Sequence, residues 1–324
     1  MKAVVLIGGF GTRLRPVTYA IPKQLIPIAG KPMLYHVLDL LPRDIEEVVL
    51  ATGYKSEEIA RHVAAHPLPF PTRCVPEAEP LGTGGGLKNA GAGMSDPFLL
   101  LNSDVIAEVN VREVLAFHAR KAGVGTMTLA HVEDTSPYGV AALDAADRIQ
   151  QFVEKPTPEA APSHWINAGL SVWAGSVLDG IPEGRAVSFE NEVLPPLLSH
   201  GVFGFRLSGF WEDAGTPDRL LHAQRLLFDA GRGGRAPLPG GAFGQGPVAA
   251  GADCHVRGAT FGPYVTLGDG VTVEAGAHVE NSVVMDHAVI GREASVVGSI
   301  VGPSAHVADG RRVNRSVLGE RGEG

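Results

Sequence analysis

Three glycines, two arginines and a lysine stand close together at the start of this chain, in Gly8-Gly9-Phe10-Gly11-Thr12-Arg13-Leu14-Arg15-Pro16 and then Pro22-Lys23. They follow directly on the apolar, strand-length run Lys2-Ala-Val-Val-Leu-Ile7. Glycine has no Cβ, so a loop built this way can bring backbone N–H groups up against phosphate oxygens. Arg13 and Arg15 add fixed cationic forks, and Lys23 adds a mobile point charge. The chemistry these residues suit is the handling of phosphates. The loop is neither a Walker A loop, since no Gly-Lys-Ser/Thr follows, nor G-x-G-x-x-G, since the third glycine is missing.

Further along, other small groups of polar residues sit beside apolar runs. Asn102-Ser103-Asp104 ends the run Pro97 to Asn102, and Asp213 stands in Gly209-Phe-Trp-Glu-Asp-Ala-Gly-Thr-Pro217. Glu79-Pro-Leu-Gly-Thr-Gly84, Tyr138-Gly139-Val140, Phe152-Val-Glu-Lys-Pro156 and Asn167-Ala-Gly169 lie between or around them. Taken singly each has an ordinary explanation: an Asp after a strand is most often a turn residue or cap, and Glu-Lys before Pro a charged turn. Their joint order is far more specific. With the opening G-G-x-G-T-R-L-x-P-x-T and the later P-K, they resemble the nucleoside-diphosphate-sugar pyrophosphorylases, the sugar-1-phosphate nucleotidyltransferases, over about residues 1 to 228.

That resemblance implies a reaction and a cast of residues. A sugar-1-phosphate oxygen would attack the α-phosphorus of a nucleoside triphosphate and expel pyrophosphate. Arg13, with the backbone of Leu6, Gly8, Gly9, Gly11 and Thr12, would hold the triphosphate, and Lys23 the α-phosphate. Gly82 and Thr83 would lie at the base, while Gly139, Glu154, Lys155, Asn167 and Gly169 would bind the sugar phosphate. Asp104 and Asp213 would hold a metal ion, an oxygen-only set that favours Mg²⁺. Ser103 departs from the family's usual N-G-D. Within the family the loop, the Glu79-Pro-Leu-Gly-Thr block and Phe152-Val-Glu-Lys-Pro most resemble the mannose-1-phosphate guanylyltransferases, which implies GTP and mannose 1-phosphate. Lys23-Gln24-Leu25 instead echoes the glucose-1-phosphate thymidylyltransferases, which stand as the alternative. A catalytically silent, nucleotide-sugar-binding regulatory subunit is the alternative of another class; retention of Arg13, Lys23, Asp104 and Asp213 speaks against it.

The elements that must position these residues alternate between strand-like and helix-like stretches. Lys2 to Ile7, Glu46 to Ala51 and Pro97 to Asn102 read as buried strands, and Lys31 to Leu41, Ser56 to Ala65 and Thr216 to Ala230 as helices. Glu190 to His200 also reads as helical, and Ile149 to Val153, Gly169 to Trp173 and Phe203 to Leu207 as strands. This predicts an α/β fold with a doubly wound, mostly parallel sheet of Rossmann-like type, ligands gathering at the carboxyl ends of its strands.

Beyond a Gly/Pro-rich stretch the texture changes. Phe261, Leu267, Val273, Val279 and Met285 recur every six residues, and after a slip of phase Ile290 and Val296, then Val301, Val307 and Val313, continue the period. Such a period predicts a parallel β-helix, similar to the left-handed hexapeptide-repeat helices. The expected organisation is a catalytic domain over 1–230, a linker over 231–246, the β-helix over 247–319 and a frayed tail over 320–324. The stacked coils suit self-association, so a homo-oligomer is expected. His255, His278, His287 and His306 lie in or near the repeats, but scattered histidines are a weak sign of a second, acyl-transfer activity.

Composition narrows the partners. The chain has 324 residues, 44% of them apolar, a net charge of −8 and a pI near 5.8. An acidic protein lacks the basic face that nucleic acid or an anionic membrane would need. Cys74 and Cys254 have no metal-ligand spacing and read as free thiols of a reducing compartment. With no signal-peptide core and no apolar run long enough to span a bilayer, a cytoplasmic protein is expected.

Overall fold

The computed structural model describes residues 1–94, 96–234 and 242–320. Packing divides it into two compact units: Met1–Gly9 with Val37–Trp211, and Phe10–His36 with Glu212–Gly324. The first unit carries a nine-stranded sheet built from β1 (Lys2–Ile7), β2 (Glu47–Thr52), β3 (Thr72–Pro76), β4 (Phe98–Asn102), β5 (Gly125–His131), β6 (Gly139–Leu143), β7 (Ile149–Glu154), β8 (Trp165–Trp173) and β9 (Val202–Arg206). Strand order along the main path is β7-β6-β8-β4-β1-β2-β3, with β5 paired to β8 and β9 to β5. β3, β2, β1 and β4 are mutually parallel, whereas β8 runs antiparallel to β4, β5 and β6. The parallel core follows from composition: Ala3, Val4, Val5, Val48, Val49, Leu50, Leu99 and Leu101 are all buried, as strands covered on both faces must be.

Helices α1 (Ser56–Ala65), α2 (Gly82–Ala90) and α3 (Val111–Lys121) connect these strands. On one face of the sheet Val4, Val49, Ala51, Phe98, Leu100 and Trp173 pack with Leu87 and Ala90 of α2 and with Phe189. Trp173 stacks edge-on against Phe189 at 4.9 Å, and its indole N–H donates to Ser171 at 2.7 Å. Each fully buried Val, Leu or Phe of this face stabilises the fold by about 1.5–3 kcal/mol relative to an exposed one.

Two expected helices differ from the sequence reading. Lys31-Pro32 is not helical but the second strand of a hairpin with Pro27-Ile28, so the helix expected over 31–41 is confined to Met33–Leu38. The stretch 190–200 starts as a π-helical turn, Phe189–Val193, before a short α-helix at Leu194–Leu197, where two prolines remove backbone donors.

In the second unit, short strands stack into three parallel sheets that form the sides of a β-helix. The register explains the phase slips. Leu267, Val284, Val301 and Leu318 align at steps of 17 residues, as do Val256, Val273, Ile290 and Val307. One side of each coil is therefore a residue shorter than a strict hexapeptide, and Val284, not Met285, takes the inward core row. The first coil strand, Ala242–Gly244, pairs with Ala259–Phe261, so the coils begin inside the stretch expected as linker. Residues 235–241 of that linker and 321–324 of the expected tail lie outside the described residues.

Helix α4 (Pro217–Asp229) belongs to this unit rather than to the sheet. It is capped by Thr216, whose side chain accepts from Arg219 N–H. Arg315 pairs with Asp218 at 3.0 Å, Arg225 donates to Asn281 at 2.7 Å and Tyr264 donates to Asp229 at 2.8 Å, all between α4 and the coils. No helix among the described residues is long and apolar enough to cross a membrane.

Candidate active site

In the first unit the sequence-predicted sugar residues come together around one irregularity. β8 changes register between Asn167 and Ser171, a bulge that turns the strand at Asn167-Ala168-Gly169. Asn167 Oδ1 accepts from Gly169 N–H at 3.0 Å, and Gly169 has φ 77, a left-handed conformation that a side chain would strain. A Cβ there would also meet the Asn102 amide at 3.1 Å. Trp211 pins the bulge by donating to the Ala168 carbonyl at 3.0 Å, and its ring meets Tyr138 edge-on at 5.1 Å. Sequence reasoning assigns Trp211 no role, because its partner lies on a distant strand.

Gly139 on β6 is paired with Glu154 on β7, and a Cβ on Gly139 would stand 2.6 Å from a Glu154 oxygen. Glu154 is half-buried and Lys155 exposed, with 3.2 Å between their charged atoms. Burial pushes the Glu154 carboxyl above its usual range, Lys155 opposes that, and the nearby Glu190 charge adds to it. Glu190 is a second carboxylate, which in sequence reads only as part of a helix. It accepts from the Thr83 hydroxyl at 2.6 Å, while Thr83 Oγ1 accepts from Phe189 N–H at 2.9 Å.

The glycines of α2 serve close packing. Gly84 and Gly85 donate to the Val187 carbonyl at 2.8 and 3.2 Å, so the start of this helix is occupied by protein backbone. Just before it, at the end of β3, Glu77 is half-buried with a carboxyl raised by desolvation and partly relieved by Leu81 N–H, which donates to Oε2 at 3.1 Å. Its other oxygen lies against Gly86, where a Cβ would force that carboxyl aside. Sequence reasoning stops at Glu79 and misses Glu77.

Asp104, half-buried, occupies the turn that leaves the carboxyl end of β4. The preceding Ser103 is 2% exposed and its N–H donates to the Leu6 carbonyl at 3.2 Å, so a small side chain is accommodated where the family usually has glycine. Gly8 and Gly9 follow β1 and face open space, with no atom within 4 Å of where a side chain would project.

The second unit holds the remainder of the loop. Gly11 has φ 60 and sits so close to Thr18 that a Cβ would come within 2.8 Å of its methyl and 3.3 Å of Lys23 Cβ. Leu14 N–H and the Thr18 hydroxyl both donate to the Gly11 carbonyl, each at 2.9 Å. Thr12 and Arg13 are exposed, Lys23 half-buried. Arg13 and Asp213 converge on Gly215: a Cβ there would stand 2.5 Å from Arg13 Nη2 and 2.8 Å from Asp213 Oδ1. Asp213 Oδ1 accepts from Gly215 N–H at 2.9 Å, and Oδ2 lies 3.6 Å from Arg219.

Two unobstructed glycines after β1, an acidic residue just past β4 and a polar bulge on β8 agree with what similarity shows. The nucleotidyl transferase family model matches residues 2–229, and the GMPPB C-terminal domain model residues 245–323. The chain belongs to the nucleotidyl transferase family. It is 38% identical to the probable mannose-1-phosphate guanylyltransferase 1 of Oryza sativa subsp. japonica, over 99% of this chain and 91% of that one. It is 37% identical to the mannose-1-phosphate guanylyltransferase of Mycobacterium tuberculosis, over 86% and 83%. Among solved structures, HddC from Yersinia pseudotuberculosis matches with a TM-score of 0.60 and 27% identity, over 69% of this chain and 98% of that chain.

Nucleotidyl transferases generally use divalent metal ions. Among the described residues of this nucleotidyl transferase, no three His, Cys, Asp or Glu side chains form a ready-made metal cluster. Asp104 in the first unit and Asp213 in the second are each hard oxygen donors.

Proposed function

We propose that this nucleotidyl transferase is a mannose-1-phosphate guanylyltransferase, converting GTP and mannose 1-phosphate to GDP-mannose and pyrophosphate. The named relatives support this reading, as does the solved complex of HddC with GMP-PN. The single observation that carries the choice of base is Glu77. Guanine offers two adjacent donors, N1–H and the N2 amino group, which a carboxylate can accept together. Thymine and uracil offer one donor between two carbonyls, which a carboxylate would repel. A carboxylate directly after β3, where Glu77 stands, therefore favours guanine.

The remaining roles are those the family resemblance implies. Arg13 and the backbone of Leu6, Gly8, Gly9, Gly11 and Thr12 hold the β- and γ-phosphates; Lys23 neutralises charge at the α-phosphate as the mannose-1-phosphate oxygen attacks in line and pyrophosphate departs. Gly82 and Thr83 border the base. Glu154 and Asn167 accept and donate to sugar hydroxyls, Gly139 and Gly169 let the ring approach the backbone, and Lys155 holds the sugar's phosphate. Asp104 and Asp213 would each offer a carboxylate to Mg²⁺, which would supply positive charge to the phosphates.

Glu77→Gln tests the base assignment. Exchanging one acceptor for a donor is expected to lower kcat/KM for GTP about ten- to a hundredfold while dTTP turnover does not fall. An unchanged GTP-to-dTTP ratio would remove Glu77 from base recognition. Glu154 makes a pH prediction. Because burial raises its pKa, it protonates at a higher pH than a surface carboxylate. On acidification, KM for mannose 1-phosphate should therefore climb early in wild type, and this component should vanish in Glu154→Gln. Superimposable profiles would contradict its role.

A further inference from the structure

The buried face of α4 is apolar, formed by Leu220, Leu221, Ala223, Leu227 and Phe228, except at Gln224, which is 0% exposed. An amide in such a face is costly unless its polar atoms are met. Here both are. Gln224 Oε1 accepts from Thr266 Oγ1 at 2.6 Å and from Ala29 N–H at 3.3 Å. Nε2 donates to the Tyr264 carbonyl at 2.8 Å and, more weakly, to the Ser282 carbonyl at 3.4 Å.

These partners belong to different parts of the second unit. Tyr264 and Thr266 lie on one coil of the β-helix and Ser282 on the next, since Val265 pairs with Ser282. Ala29 is the turn of the hairpin Pro27–Pro32, shortly after the Lys23–Leu25 turn. Its φ of 48 is a conformation that only surrounding contacts hold in place. The coils reach the same segment elsewhere: a Cβ on Gly30 would meet Ala249 Cβ at 3.0 Å, and one on Gly302 would meet a Val17 methyl at 3.3 Å.

We propose that Gln224 is a positioning residue for nucleotidyl transfer, locking the hairpin behind Lys23 to two coils so that the β-helix sets where the Lys23 ammonium stands. This rests on the reading of Lys23 as the α-phosphate contact. The role is separable from bulk stability because Gln224 is bound to the loop segment as well as to the coils.

The test uses the full chain with Gln224→Leu, Thr266→Val and, as the conservative control, Thr266→Ser. Two readouts are taken: steady-state pyrophosphate release from GTP and mannose 1-phosphate, and hydrogen exchange of peptides covering Phe10 to His36. Gln224→Leu and Thr266→Val should lower kcat about tenfold or more with KM for mannose 1-phosphate within about twofold, and should speed exchange in Phe10 to His36 but not in Lys2 to Ile7. Thr266→Ser, which keeps the donor, should match wild type on both. Should Gln224→Leu fail to fold, the Thr266 pair decides. Unchanged exchange, or faster exchange with kcat within about twofold of wild type, overturns the proposal. Silence of the wild-type enzyme would instead sink the activity reading and with it the catalytic role of Gln224, while exchange would still report whether Gln224 holds the hairpin.

Discussion

Asp104→Asn is expected to lower turnover about a thousandfold or more while the melting temperature stays near that of wild type. The turn that carries Asp104 is held by backbone and by its buried neighbour: Ser103 is enclosed, and its N–H donates to the Leu6 carbonyl. An isosteric amide leaves that frame alone and removes only the charge. The loss should be in kcat, because a divalent ion's charge is worth most where negative charge builds on the phosphates. Excess Mg²⁺ should restore little, and EDTA should abolish wild-type turnover. Retention of turnover within about tenfold of wild type would take Asp104 out of the metal site.

Lys23→Ala should have an effect of similar size. Lys23 opens a tight turn that Pro22 leads in extended, with Leu25 N–H donating to the Pro22 carbonyl at 2.9 Å and Ile26 N–H to the Lys23 carbonyl at 3.1 Å. The backbone path thus survives loss of the side chain. What disappears is an ammonium expected at the α-phosphate, where charge develops most, so kcat should fall about a hundred- to a thousandfold and KM for GTP much less. Lys23→Arg should rescue poorly, since a planar fork does not replace a point charge. A variant that raises KM for GTP but keeps kcat would reassign Lys23 to ground-state binding.

Much of this site is legible in the amino-acid sequence, for reasons that differ by residue. β1 and β4 announce themselves because strands buried on both faces are apolar throughout, and the loop and Asp104 follow directly on them. The coil period is visible together with its phase slips, whose cause, a side one residue short, emerges only from the register. β8 is legible only from Gly169 onward, because the bulge at Asn167–Gly169 breaks the alternation on which strand reading depends. Glu77 and Glu190 are hidden for another reason: each acquires meaning only from a partner elsewhere, Gly86 for one and Thr83 for the other. Gln224 looks in sequence like a flaw in an amphipathic helix, since its partners lie between 40 and 195 residues away. The packing units likewise escape a linear reading. Composition changes at the linker, yet α4 and the segment Phe10–His36 pack with the coils.

The most direct measurement is pyrophosphate release by the purified protein with Mg²⁺, across GTP, dTTP, UTP and ATP, each paired with mannose 1-phosphate and with glucose 1-phosphate. Strong release is expected for GTP with mannose 1-phosphate and weak release for every other pair. A dominant signal from dTTP with glucose 1-phosphate would contradict the base assignment to Glu77, and silence across all pairs would contradict the enzyme.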